Sequence, residues 1–139
     1  RYTSSLLHFY LGSLRYMPQY RKFHKREEQS DNETHSIINA ALKYMEENIE
    51  QSITLHDLAG YTGYSNSHFS AIFKGATGHS PLGYFNKLKI KKACELLDTT
   101  DMKINQISYK MGFEDSFYFS RLFSKIVGIS PKKYRESKK

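Results

Sequence analysis

The sequence holds one cysteine, Cys94, which excludes an intramolecular disulfide and any multi-cysteine metal site. No apolar run approaches the roughly 18 residues that a bilayer span requires. Leu6–Leu14 comes nearest, and Arg15 ends it. Nothing resembles a signal peptide, so a reducing cytosolic setting is the default expectation. No stretch alternates apolar and polar residues as a half-buried strand would. The histidines His8, His24, His35, His56, His68 and His79 form no H-E-x-x-H pair, and no carboxylate cluster accompanies them. Gly75–Gly78 is not a phosphate loop, because no G-x-x-x-x-G-K-[ST] pattern exists. Cys94 has no histidine or basic pair at helical spacing and reads as a small core residue rather than a nucleophile. An enzyme, a metal site and a cofactor all lack positive support.

What is present is a chain of 139 residues, 39% hydrophobic and 25% charged, with a net charge of +7. That length suits one ordinary domain or two very small ones, and that composition suits a folded chain. The charge is unevenly placed. Residues 1–52 carry seven Lys or Arg and seven Asp or Glu, whereas residues 53–139 carry fourteen basic and seven acidic side chains. A basic domain beside a neutral segment favours a polyanionic partner.

Leu7, Tyr10, Leu11 and Leu14 share a helical face, and Pro18 should end that helix near Tyr16 or Met17. The sequence starts at Arg1 rather than Met, so residues 1–26 are expected to be part of something longer. Lys25–Ser36 has no apolar residue, and residues 27–35 read as a linker. Ile37, Ile38, Ala41, Leu42, Met45 and Ile49 form a stripe that predicts a helix over about 35–49. Thr54 caps a short helix over Leu55–Thr62, with Asp57 completing a capping box and Gly63 ending it. Ser65 caps the next, to about Ala76, which Gly78 ends. Ser80-Pro81 opens a long helix to Leu97. Further helices are expected over Ile104–Met111, ending at Gly112, over Asp115–Val127, ending at Gly128, and from Ser130-Pro131 onward. The chain reads as all-α.

The second set of helices repeats the first. Leu58–Ser67 lies over Ile107–Ser116 at an offset of 49, with Gly63 on Gly112. After a one-residue insertion, Phe69–Tyr84 lies over Phe119–Tyr134 at an offset of 50, with seven of sixteen positions identical. Two copies are too few for a solenoid. They indicate a duplicated unit of helix, glycine turn and helix, which is the shape of a helix-turn-helix. The units span 53–78 and 103–128, joined by the connecting helix 80–97.

In each unit the second helix has an apolar stripe, Phe69, Ile72, Phe73 and Ala76 or Phe119, Leu122, Phe123 and Ile126. The opposite faces carry Ser67, Ser70, Ala71 and Lys74 or Phe117, Ser120, Arg121 and Ser124. Faces with Ser and Arg and without acids suit a DNA major groove. A connecting helix of 17 residues spans roughly 25 Å at about 1.5 Å per residue. With flanking turns it suits two reading heads about 34 Å apart, one turn of DNA. Lys87, Lys89, Lys91 and Lys92 on it are candidates for phosphate contacts.

The order of motifs resembles the DNA-binding domain of the AraC family of bacterial transcription regulators (AraC/XylS type). The resemblance is carried by Leu58-Ala59, Gly63-Tyr64-Ser65, Phe73-Lys74, Thr77-Gly78-His79-Ser80-Pro81 and Tyr84. It continues through Ala93, Leu96-Leu97, Ile107, Gly112-Phe113-Glu114-Asp115, Tyr118 to Phe123, Gly128 to Pro131 and Tyr134-Arg135, covering about residues 36–135. It implies a homeodomain-like domain over 36–139 with seven helices, preceded by the extra N-terminal helix. The two second helices would enter adjacent major grooves of a promoter, usually to activate transcription. Carried over position by position, the base-facing candidates are Ser67, Ser70, Ala71, Ser116, Phe117, Ser120 and Arg121. The phosphate-contacting candidates are Lys74, Lys87, Lys89, Lys91 and Ser124. The family often has Arg where this chain has Ala71. Alanine offers only apolar contact, for instance to a thymine methyl, so the second unit is expected to carry more of the discrimination.

Residues 1–26 resemble the helical tail of an effector-sensing or dimerising domain; a structured extension of the same domain is the alternative. The partners implied are double-stranded DNA, RNA polymerase, and a second copy through residues 1–26, with no membrane and no cofactor. The expected setting is the bacterial cytoplasm, on the nucleoid when DNA is bound. The competing functional class is a protein-interaction module that keeps the fold with little DNA affinity.

Overall fold

Local signals set where each helix stops and starts. In the computed structural model, residues 28–137 are described, and they form seven helices and no strand. These are α1 (Glu28–Glu47), α2 (Leu55–Thr62), α3 (Asn66–Thr77), α4 (Pro81–Thr99), α5 (Ile104–Lys110), α6 (Ser116–Val127) and α7 (Pro131–Ser137). The expected N-terminal helix within residues 1–26 lies outside the described residues.

The start of α2 is the expected capping box. Thr54 Oγ1 accepts from Asp57 N at 3.1 Å while Thr54 N donates to Asp57 Oδ2 at 2.9 Å. Hydrogen bonding to the carboxylate by Thr54, from its backbone N–H first and then its side chain, holds the Asp57 carboxyl below its ordinary pKa. Ser65 Oγ accepts from His68 N at 3.2 Å to start α3, and Asp115 Oδ1 accepts from Phe117 N at 2.9 Å to start α6. Gly63, Gly78 and Gly128 end α2, α3 and α6 with φ of 82°, 78° and 102°, where a side chain would be strained.

Two expectations fail at α1. The helix begins at Glu28, so most of the segment expected as a linker, 27–35, is helical. Asp31 in its first turn complements the helix dipole, which a count of apolar residues does not register. The helix also stops at Glu47, before Ile49.

The described chain divides into two compact units. Residues 28–48 and 53–85 form the N-terminal unit, and residues 49–52 and 86–137 form the C-terminal unit. The first five residues of α4 belong to the former and the rest to the latter. The N-terminal core gathers Ile37, Ile38, Ala41 and Met45 of α1 with Leu58, Ala59, Phe69, Phe73, Tyr84 and Phe85. The C-terminal core gathers Ile90, Ala93, Cys94 and Leu97 of α4 with Ile107, Met111, Phe113, Phe119, Phe123, Val127 and Tyr134. Ile49, expected on the α1 stripe, packs against this second core instead. Cys94 is buried, as expected of a small core residue.

The duplication is visible in the ring packing. Phe69 and Phe73 lie 5.7 Å apart at 47°, and Phe73 meets Tyr84 edge-on at 5.5 Å and 83°. Phe119 and Phe123 lie 6.0 Å apart at 51°, and Phe123 meets Tyr134 edge-on at 5.7 Å and 77°. Edge-to-face pairs of this kind add about 0.5–1.5 kcal/mol each beyond burial. Ser80 and Ser130 likewise repeat a cap, each hydroxyl accepting from the backbone N–H three residues on at 3.2 Å.

Candidate nucleic-acid interface

Because Phe69 and Phe73 are fully buried, the helical period turns residues 67, 68, 71 and 74 of α3 outward. Ser67, His68, Ala71 and Lys74 are exposed, and Ser70 is half-buried at the edge of the face. On α6, burial of Phe119, Phe123 and Val127 turns out Phe117, Tyr118, Arg121 and Lys125. Ser116, Ser120 and Ser124 are half-buried. Neither helix contains an acidic residue.

The caps correct the repeat. Ser65 and Asp115, the cap residues, stand 50 positions apart, whereas Gly63 and Gly112 stand 49 apart. The inserted residue therefore lies in the second turn, between Gly112 and Asp115, before α6 begins. The counterpart of Ser67 is Phe117, not Ser116. His68 matches Tyr118, Ala71 matches Arg121, and Lys74 matches Ser124. Tyr118, 44% exposed, and Lys125 are face residues that the sequence alignment left out. Fifty positions before Tyr118 stands His68, which the sequence-based face also omits, so exposure alone identifies the pair.

Among the expected phosphate contacts, Lys74 is exposed and Lys87 and Lys91 are partly exposed. Lys89 is not available. It is 3% exposed, and its ammonium donates to the carbonyls of Ile49 at 2.9 Å, Gln51 at 2.5 Å, and Met111. The Phe113 ring centroid lies 5.5 Å from it. Burial pushes its pKa down to about 8, partly opposed by Glu50. Helical spacing places Lys89 among three other lysines; the reason for its burial is a loop some 40 residues away, whose carbonyls accept its protons. Ser124 is compromised as well, since its hydroxyl donates to the Ser120 carbonyl at 2.9 Å.

A second cation serves carbonyls in the same unit. Arg135 Nε donates to Leu97 O at 3.2 Å, Nη1 to Met102 O at 2.5 Å and Nη2 to Thr100 O at 3.0 Å. It thereby satisfies carbonyls where α4 ends and favours the negative end of that helix. Beside it, Tyr134 Oη donates to Asp98 Oδ2 at 3.2 Å. Burial, then Cys94 and Asp98, push the Tyr134 pKa well above its ordinary value. These bonds tie α7 to the end of α4 and the loop that follows it.

Among the described residues no three His, Cys, Asp or Glu side chains gather where a metal ion could sit. Nor is any helix there long and apolar enough to cross a membrane.

A family model described as a helix-turn-helix domain matches residues 58–137. The chain is 42% identical over 93 residues to the MmsAB operon regulatory protein of Pseudomonas aeruginosa, covering 67% of this chain and 30% of that protein. It is 34% identical over 103 residues to the HTH-type transcriptional activator AarP of Providencia stuartii, covering 73% of this chain and 76% of the relative. A solved structure of a transcriptional regulator of the AraC-type DNA-binding-domain group from Chromobacterium violaceum matches with a TM-score of 0.70 and 30% identity, over 75% of this chain and 93% of that one. The chain spans only about a third of the length of the MmsAB regulator.

Proposed function

The chain belongs to the AraC-type helix-turn-helix family, and on that premise we propose that it is a sequence-specific, double-stranded DNA-binding transcription regulator, an activator, that lays α3 and α6 in successive major grooves. The observation that carries this is the pair of outward, acid-free faces on two helices built the same way, within the part of the chain that holds all the excess positive charge.

In this reading Ser67, Ser70 and Ala71 of α3 and Ser116, Phe117, Ser120 and Arg121 of α6 approach base edges. Lys74, Lys87 and Lys91 approach phosphates, which position the protein without reading sequence. Arg121 supplies the donor fork that grips guanine O6 and N7, so α6 carries more of the sequence discrimination than α3. Activation implies contact with RNA polymerase. Residues 1–26 belong to a regulatory or dimerising part and pair two copies on DNA. The site of action is the bacterial cytoplasm, on the nucleoid when DNA is bound.

Selection of bound duplexes from a random pool, followed by fluorescence anisotropy across a salt series, tests the reading. One recurrent sequence is expected, with affinity falling steeply as salt rises, at a slope near −0.9 per phosphate contact. A chain that binds no duplex at low salt sinks the proposal and favours a protein-interaction module. For the pairing of copies, sedimentation of the chain against one lacking residues 1–30 should show loss of a dimer.

A further inference from the structure

Phe117 is the most exposed large apolar side chain among the described residues. Its surface is 77% open, against 38% to 56% for Tyr61, Leu82, Tyr109 and Tyr118. Its neighbour Tyr118 lies 6.1 Å from the Phe113 ring, whereas no ring contact of Phe117 is found among the described residues. A phenyl ring left in water gains the fold nothing. Yet its place is well defined, because its own N–H is tied to the Asp115 carboxylate at 2.9 Å in the first turn of α6.

Arg121 follows four residues later on the same face, exposed, with no hydrogen bond or ion pair among the described residues. Four residues of helix rise about 6 Å, and stacked base pairs rise about 3.4 Å each. The two side chains therefore reach base pairs within about two steps of one another. In the major groove thymine offers a C5-methyl group where cytosine offers only a hydrogen. A phenyl ring has no donor or acceptor with which to read anything else there.

The geometry points to Phe117 as the reader of a thymine C5-methyl group, within two base steps of the guanine gripped by Arg121. This rests on α6 being a recognition helix and narrows what that helix recognises. The device is confined to α6, because the structural counterpart of Phe117 on α3 is Ser67, which is short and polar. Removing a ring that lay against sugar, or was wedged between base steps, would lower affinity for every sequence alike and would not register one methyl group.

The test uses the duplex recovered by selection, with thymines replaced one at a time by deoxyuridine. That exchange keeps every hydrogen-bonding group and removes only the methyl. Arg121→Ala first locates α6, at the guanine whose preference it abolishes. At one thymine within two steps of that guanine, the exchange should weaken binding by the intact chain about fourfold, the worth of one buried methyl. In Phe117→Ala the thymine-to-uracil ratio at that position should fall to one, while the guanine preference persists. Phe117→Leu should keep part of the ratio. The thermal midpoint of Phe117→Ala should match the parent, because the ring is exposed.

A selected site with no thymine near that guanine overturns the inference. So does a ratio of one in the intact chain, a ratio that persists in Phe117→Ala, or a Phe117→Ala defect equal on all duplexes. Each of these leaves DNA binding itself intact. Absence of binding to any duplex instead sinks the functional proposal and this inference together.

Discussion

The two units are built from one plan and tightened by different means. Each has the Gly turn, the cap, the Phe-Phe-Tyr ring chain and the Ser-Pro start of the following helix. In the N-terminal unit the side chain after the tyrosine is Phe85, buried in the core. In the C-terminal unit it is Arg135, which holds three carbonyls. Lys89 then holds three more in that unit, including two from residues 49–52. Duplication thus preserves what the backbone needs locally, namely caps, turns and ring contacts. What diverges is how loose carbonyls are satisfied, because that depends on which loop lies alongside.

The glycine turns offer the sharpest way to break this comparison. Gly63 and Gly112 have nearly equal φ, 82° and 83°. A Cβ on Gly63 would meet nothing within 4 Å, while one on Gly112 would lie 2.9 Å from the Gln51 carbonyl carbon and 3.0 Å from two carbonyl oxygens. Gly63→Ala should cost only the backbone strain, about 1–2 kcal/mol. Gly112→Ala adds overpacking against backbone and should cost about 2–4 kcal/mol. Equal shifts in urea midpoint for the two variants would show that the close approach does not matter.

Next in size is Lys89→Met, which orphans three carbonyls. Each unsatisfied buried acceptor costs about 1–3 kcal/mol, and relief from burying an ammonium offsets part of this. A net loss of about 2 kcal/mol is expected, measured by denaturant unfolding, against less than about 0.5 for the exposed Lys74→Met. Similar losses for both would remove Lys89 from any structural role.

The reading faces should differ by about 1–3 kcal/mol of base discrimination, the worth of one bidentate arginine contact. Arg121→Ala should erase a guanine preference, and Ala71→Arg should create one in the other half of the site. Selected sequences unchanged by both substitutions would make the faces equivalent.

A pH dependence above pH 8 is expected in the C-terminal unit. The folded Lys89 pKa, about 8, lies below its ordinary 10.5. Between those values the unfolded chain binds the extra proton, so this group makes stability rise with pH across that window. The parent should therefore gain on Lys89→Met from pH 8 to 10.5, as followed by urea midpoints. A difference that shrinks over that range would reverse the sign.

Much of the fold was legible because its signals are local. Thr54 with Asp57, Ser65, the glycines after α2, α3 and α6, and the Ser-Pro pairs each act within four residues, through bonds that any occurrence of the pattern can form. The candidate faces were legible for the same reason, since burying Phe69 and Phe73 or Phe119 and Phe123 dictates what turns outward. The start of α1 was not, because a polar helix without an apolar stripe looks like a linker. The register between α3 and α6 is off by one residue at their N-termini, because sequence identity resumes only at Phe69 and Phe119, after the insertion.

From the order of residues alone followed an all-helical chain, its duplication, the limits of most helices and the segment that bears the charge, since each depends on periodicity or on neighbours in sequence. Three-dimensional packing assigned Lys89 to the interior, moved Ile49 to the C-terminal core and made Gly112 a point of close approach. All three depend on the loop at residues 49–52 meeting groups far along the chain. Nothing in a lysine's own neighbourhood says whether a carbonyl from a distant loop or a phosphate from solvent will take its protons. That choice is made by whichever acceptor the packed chain leaves unsatisfied.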